Sequence, residues 1–494
     1  MYYIGVDLGT SSVKILIVDE GGKIIKSASK SYPLEFPQPG WSQQNPEDWW
    51  GAVSGLIPQL LSDIDSSKVA GLAVGGQMHG LVILDGNDKV IRPAILWNDG
   101  RTGAETEEMN RYFGKRLLEL SGNIAFAGFT APKLIWLRKH EPENFAKISK
   151  IMLPKDYLVY RLTGVHSCDY SDASGMLLLD VKNRCWSGEL MDYCGVTEKQ
   201  LPRLFESYER VGTVLPEVAR KLGLPKNVAV AAGAGDNAAA AIGTGTVNNN
   251  DCNISLGTSG TVFISCDSFH LPPEGNLHSF AHANGKYHLM GCILSAASAY
   301  SWWANDILKA ASNNEEQDVI SDEDLGRNRV FFLPYLMGER SPHNDPGARG
   351  AFLGMSMDTS RAQMTQAVME GVAFAIRDSV EIARNLGVNI KCSGLCGGGA
   401  KSALWRKIMA DVLNMEVQVP CQEEGAGYGA AILAMVAAGA YSDVSTACKK
   451  LAVPRWSYFP DMETAARYEE RYQVYRALYP ALKPVYPLMT KECE

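Results

Sequence analysis

Two aspartates stand where strand-like runs break into glycine-rich turns. Asp7 lies in Ile4-Gly-Val-Asp-Leu-Gly-Thr-Ser-Ser-Val-Lys14, and Asp236 in Gly233-Ala-Gly-Asp-Asn237. A carboxylate in an apolar strand is costly unless a charge, a hydrogen-bond donor or a ligand answers it. After Asp7 come Gly9, whose missing Cβ lets a ligand approach the main chain, the hydroxyls of Thr10 and Ser11, and the ammonium of Lys14. Such a turn can present backbone N–H groups to phosphate oxygens. Asp7 is then placed to hold Mg²⁺, which binds through one or two carboxylates together with substrate phosphates. Asp236, with open space left by Gly233 and Gly235, suits a general base that takes a hydroxyl proton. Each also has a plain structural reading: a carboxylate capping its own hairpin, and an Asp-Asn chain reversal.

The first turn has a second copy. Leu-Gly-Thr-Ser occurs at residues 8–11 and again at 256–259, a separation of almost half the 494-residue length. The shared strand-turn-strand context makes a duplicated domain the better reading. Gly257 and Thr258 repeat the phosphate-cradling chemistry, but Ser255 stands where the first copy has Asp7. A third cluster, Gly397-Gly-Gly-Ala-Lys-Ser402, follows an apolar run and leads into a helical segment over 403–409. Gly398, Gly399 and Ser402 there leave room for a flat ring or a phosphate at a helix N-terminus. Neither a P-loop nor a dinucleotide-binding fingerprint is present.

The elements that must carry these turns follow from residue periodicity. Residues 4–18 and 23–26 read as a β-meander, and 69–75, 81–84 and 227–233 as further strands. A helix over 46–61 starts with Asn45 as N-cap and Pro46 at its first position. Apolar residues at helical spacing predict a long helix over about 360–386. The expectation is an α/β chain of two domains, residues 1–247 and 248–494, a division natural at this length.

Composition narrows the classes. The chain is 46% hydrophobic and 21% charged with net charge −8, and it has no basic cluster, which disfavours a nucleic-acid partner. No run reaches the roughly 18 apolar residues of a membrane helix. The N-terminus lacks a basic region and an apolar signal core, so a cytoplasmic place is expected. Eleven cysteines without paired spacing read as reduced thiols, and Cys392 with Cys396 as no zinc site. His278 and His282 have a metal-like spacing with no third ligand in view and are read as structural.

The motifs together resemble the FGGY carbohydrate kinases of the actin-like ATPase superfamily over nearly the whole chain. The matching stretches include Gly76-Gln-Met-His-Gly80, Ile95-Leu-Trp-Asn-Asp-Gly-Arg101, Gly128-Phe-Thr-Ala-Pro-Lys133 and Leu153-Pro-Lys-Asp156. They continue with Gly235-Asp-Asn-Ala238 and Leu333-Pro-Tyr-Leu-Met-Gly-Glu-Arg340. The resemblance implies two duplicated actin-like (ribonuclease H-like) domains flanking a central cleft, with ATP and Mg²⁺ as cofactors. It implies Asp236 as proton acceptor and Asp7 on the metal side, with Met78, His79 and Asn237 contacting the sugar. Trp97 and Arg101 are expected to line or brace the pocket. Within the family the resemblance is closest to the kinases acting on D-xylulose. Glycerol kinases carry Arg-Glu and Asp-Gln where this chain has Met78-His79 and Asp236-Asn237. L-Ribulose, L-fuculose and glycerol remain alternative substrates. A non-catalytic actin-like ATPase or a sugar sensor would leave both aspartates without a use. A homodimer is a family-level expectation.

Overall fold

The computed structural model describes residues 1–312, 315–421 and 424–489. The N-terminal meander forms as expected, from β1 (Tyr2–Leu8), β2 (Ser12–Asp19) and β3 (Ile24–Ser31). Helix α1 (Pro46–Leu61) starts where its sequence says it should, the Asn45 side chain accepting the Glu47 N–H. Strand β4 (Val69–Gly76) then pairs parallel to β1, and β5 (Arg210–Thr213) and β6 (Ala229–Ala231) complete a sheet in the order β5-β6-β4-β1-β2-β3. A two-residue strand, Ala234–Gly235, joins the end of β4 at Gly75 and Gly76 and delivers the chain into α2 (Asp236–Gly243).

The second half repeats this path. Strands β7 (Cys252–Leu256), β8 (Gly260–Cys266), β9 (His278–Ala281) and β10 (Tyr287–Ile293) are antiparallel neighbours. After α3 (Arg361–Asn385), strand β11 (Cys392–Cys396) pairs parallel to β7. Helix α4 (Ala403–Leu413), β12 (Glu416–Pro420), α5 (Gly425–Ala437) and β13 (Pro454–Tyr458) follow. The order β10-β8-β7-β11-β12-β13 matches β3-β2-β1-β4-β6-β5 strand for strand, with two antiparallel pairings, then two parallel, then one antiparallel in each. A four-residue repeat in sequence thus corresponds to a sheet topology traced twice.

One face of the first sheet buries Val6 and Leu72 with Trp49 and Leu56 of α1. The other face takes α2 and, from the second half of the chain, α5. Helix α5 reads Gly-Ala-Gly-Tyr-Gly-Ala-Ala-Ile-Leu-Ala-Met-Val-Ala and is apolar nearly all round, as a helix covered on every side must be. Its glycines set the approach. A Cβ on Gly429 would lie 1.8 Å from the Ala239 carbonyl, and one on Gly5 would lie 2.0 Å from the Gly427 carbonyl. Each sheet is therefore built by one half of the chain, while α5 ties the second half onto the first sheet.

Candidate active site

The two repeated hairpin turns share one hydrogen-bonding plan. In the first, the Gly9 carbonyl accepts from the Tyr32 hydroxyl and from Gln77 Nε2 (3.5 Å), and the Thr10 carbonyl from Gln44 Nε2 (2.7 Å). In the second, the Gly257 carbonyl accepts from the Ala297 N–H, and the Thr258 carbonyl from the Ala296 N–H and Ser298 Oγ. The carbonyls are thus drawn into the protein. The N–H groups of Thr10, Ser11, Thr258 and Ser259 make no hydrogen bond among the described residues. Unpaired N–H groups at a turn are available to an anion. The third turn is more selective than its sequence suggests. Gly397 has φ +86°, Gly398 faces open space, and a Cβ on Gly399 would sit 2.8 Å from the Leu256 side chain. Of the three glycines, Gly397 and Gly398 are exposed and line a cavity, while Gly399 is buried. Ser402 Oγ is committed, accepting the Trp405 N–H (3.1 Å) as N-cap of α4 and bonding to Gln317.

Asp7 lies opposite Lys14 across the first hairpin, but Lys14 Nζ pairs with Glu424, just ahead of α5. The Asp7 carboxylate itself makes no hydrogen bond or ion pair among the described residues. Burial pushes its pKa up to about 6, against the pull of Lys14. Asp236 opens α2, and its Oδ1 accepts from the Asn237 N–H (2.7 Å) and Asn237 Nδ2 (3.0 Å). Burial and the neighbouring Asp7 charge push Asp236 up to about 7. Two buried carboxylates, one raising the other's pKa, beside turns with unpaired N–H groups would suit a divalent cation shared with phosphates.

The loop before Asp236 is pinned from beneath. Fully buried Lys155 donates to the Ala232 carbonyl (3.3 Å) and pairs with Asp156, Asp169 (3.0 Å) and Asp172 (3.8 Å). The Gly235 N–H reaches Ser171 Oγ (3.3 Å), whose hydroxyl bonds to Asp169. Gly233 has φ +79°, and a Cβ there would lie 2.1 Å from the Val74 carbonyl.

Beside Asp236 is a cavity of about 300 Å³ between the two halves. Met78, His79, Trp97 and Asn237 line it from the first half, and Ser255, Thr261 and Arg340 from the second. His79 holds a left-handed backbone, φ +68°, that costs a non-glycine residue roughly 1–2 kcal/mol. Its Nδ1 lies 2.9 Å from the Gly175 carbonyl, which can only accept, so Nδ1 carries the proton. Burial drives its pKa down to about 3, so the ring is neutral and Nε2 keeps a free lone pair. Gly175 is required, since a Cβ would stand 2.3 Å from that Nδ1. Trp97, 43% exposed at the mouth, donates from Nε1 to Thr10 Oγ1 (2.9 Å) and so joins the cavity wall to the first hairpin turn.

Arg101 does not line the cavity as a substrate-binding residue would. Its guanidinium is fully buried, forms two 2.8 Å bonds to the Asp99 carboxylate and stacks over Trp41 at 3.9 Å. It braces the loop behind Trp97. His278 and His282 lie on or beside β9, not on a helix, and bond to Asn123 and the Thr246 carbonyl. Arg340 and the Phe126–Phe129 ring pair were not singled out from sequence. Their only signal there was membership of the quoted 333–340 stretch and the flank of the 128–133 stretch.

Two sheets of equal topology, each with a glycine hairpin turn, and a cavity between the halves define a phosphotransferase of the actin-like ATPase fold. The chain belongs to the FGGY family of carbohydrate kinases: its N-terminal domain model matches residues 2–243 and its C-terminal domain model residues 252–438. Among its relatives, a xylulose kinase of Escherichia coli K12 is 40% identical over 98% of this chain and 99% of its own. One from Bacillus subtilis 168 is 36% identical over 97% and 96%. The crystal structure of a "xyloylose kinase" from Brucella ovis superposes with TM-score 0.94 at 41% identity, covering 98% of this chain and all of that one.

Proposed function

We propose that the protein transfers the γ-phosphoryl group of ATP to the terminal hydroxyl of D-xylulose, giving D-xylulose 5-phosphate and ADP, in the cytoplasm. The observation that carries this reading is the placement of Asp236, with its pKa near 7, between the paired phosphate turns and a cavity of monosaccharide size. A carboxylate raised into that range accepts a hydroxyl proton far better than an ordinary one. Asn237 holds one Asp236 oxygen, leaving the other for the sugar hydroxyl. Neutral His79 accepts a second sugar hydroxyl through Nε2, Met78 supplies an apolar wall, and Arg340 donates from the opposite side. The N–H groups of residues 10, 11, 258 and 259 hold the phosphates, and the Gly397–Gly398 surface takes the base. Mg²⁺ held by Asp7 would screen the phosphate charge. Trp97 covers the cavity mouth and excludes water, the competing acceptor.

The test is ADP release from Mg-ATP with D-xylulose, L-ribulose, L-fuculose and glycerol. No sugar-stimulated ADP release would sink the kinase assignment. Faster turnover of ribulose, fuculose or glycerol would overturn only the substrate.

A further inference from the structure

Among the described residues two lysines have fully buried side chains, and they are answered differently. Lys155 sits among three carboxylates. Lys133, in the first turns of the helix Thr130–His140, has no carboxylate within ion-pair distance among the described residues. Its Nζ donates instead to two main-chain carbonyls, His79 at 2.8 Å and Gly128 at 2.6 Å. Burying an amine to satisfy two carbonyls is an expensive way to fill space that a leucine or methionine would fill without desolvation. The site needs the donor, then, and the two acceptors show what it serves.

The His79 carbonyl belongs to the residue held at φ +68°. That conformation aims the imidazole at the cavity and turns the carbonyl the other way, toward the helix. There Lys133 Nζ and Thr130 Oγ1 (3.0 Å) capture it. The Gly128 carbonyl belongs to the loop against Trp97, so close that a Cβ on Gly128 would lie 2.1 Å from the Trp97 carbonyl. One amine therefore staples together the turn carrying His79 and the loop backing Trp97.

We propose that Lys133 is a positioning residue for sugar binding, holding the strained His79 turn and the Gly128 loop in register so that Nε2 faces the sugar. The proposal rests on the kinase reading only in taking the cavity as the sugar site. Without the staple, the His79 backbone relaxes to negative φ, and the ring leaves both the Gly175 carbonyl and the cavity. The phosphate turns and the loop under Asp236 are braced by other groups, namely Tyr32, Gln44, Lys155 and Ser171.

Lys133→Met tests this, because it keeps the volume and removes only the donor. The expected result is a rise of tenfold or more in KM for D-xylulose, with kcat within threefold, KM for ATP within twofold and Tm unchanged or higher. Thr130→Val, which removes the weaker donor, should move the sugar KM the same way by less. A sugar KM within twofold of wild type would overturn the proposal. So would parallel losses for both substrates with a lowered Tm, the result of a merely structural lysine. Should wild type phosphorylate none of the sugars, the kinase reading fails separately. The staple is then judged by the crystal structure of Lys133→Met. His79 displaced from Gly175 supports it, and His79 still at positive φ on that carbonyl refutes it.

Discussion

Asp236→Asn should make the folded protein more stable while abolishing turnover, and the gain should depend on pH in a calculable way. The folded-state pKa of Asp236 is about 7 against an ordinary 3.8, because burial and the Asp7 charge penalise ionisation. A carboxyl with a raised pKa contributes no penalty below the unfolded pKa, and it costs stability progressively as pH rises to the folded one. Above pH 7 the whole interval counts. At roughly 1.4 kcal/mol per pH unit this is about 4 kcal/mol, and at pH 5 it is only about 1.6 kcal/mol. Solvent reaching the half-buried carboxylate screens part of this, so about 2 kcal/mol at pH 8 is the working figure. Asparagine keeps an Oδ1 acceptor for the Asn237 N–H, so little hydrogen bonding is lost with the charge. For a chain of 494 residues unfolding as one unit, unfolding entropy converts this to a Tm increase of about 2 °C, and roughly twice that if the first half unfolds alone. The assay is paired thermal denaturation of wild type and variant at pH 5 and pH 8, with ADP release measured at pH 8. A variant no more stable than wild type at pH 8, a gain equally large at pH 5, or near-normal turnover would refute the reasoning.

Three other outcomes follow from the same geometry. In wild type, kcat/KM for the sugar should fall below about pH 7 as Asp236 takes up a proton, and more steeply below about 6 where Asp7 does; a flat profile from pH 5 to 8 contradicts the assignment. Gly429→Ala should lower urea-measured stability by about 3 kcal/mol, because its Cβ would meet the Ala239 carbonyl at 1.8 Å with both helices buried and unable to part. Arg101→Lys should cost about 2 kcal/mol by losing the two-bond fork to Asp99 and the stack on Trp41, yet leave the sugar KM of the folded enzyme within twofold. A large KM change there would return Arg101 to the pocket.

Much of the fold was legible because local patterns set it. Asn45-Pro46 marks the α1 start, alternation over residues 4–18 marks a hairpin, and glycines at 9, 257 and 397 mark turns. The duplication was readable from the Leu-Gly-Thr-Ser repeat, since both copies must form the same hairpin with the same inward carbonyls. Arg101, expected to line or brace the pocket, does not line it, for an equally local reason. Asp99 two residues away offers both oxygens in a buried position, and a guanidinium takes that fork first. Arg340 was overlooked because its approach to the cavity depends on a loop from the other half of the chain.

The sequence by itself determined the chemistry available: two strand-end carboxylates, glycine turns able to expose N–H groups, and a duplicated α/β scaffold to carry them. Folding decided what that chemistry becomes. Asp7 raises the pKa of Asp236 only because β1 and the Ala234–Gly235 strand both pair with the end of β4. His79 is neutral because folding buries it, and its proton sits on Nδ1 because the Gly175 carbonyl from a distant helix turn accepts it. Periodicity and turn propensity act over a few residues and can be read along the chain. Burial and Coulomb interaction act across space, and the tertiary structure alone sets those distances.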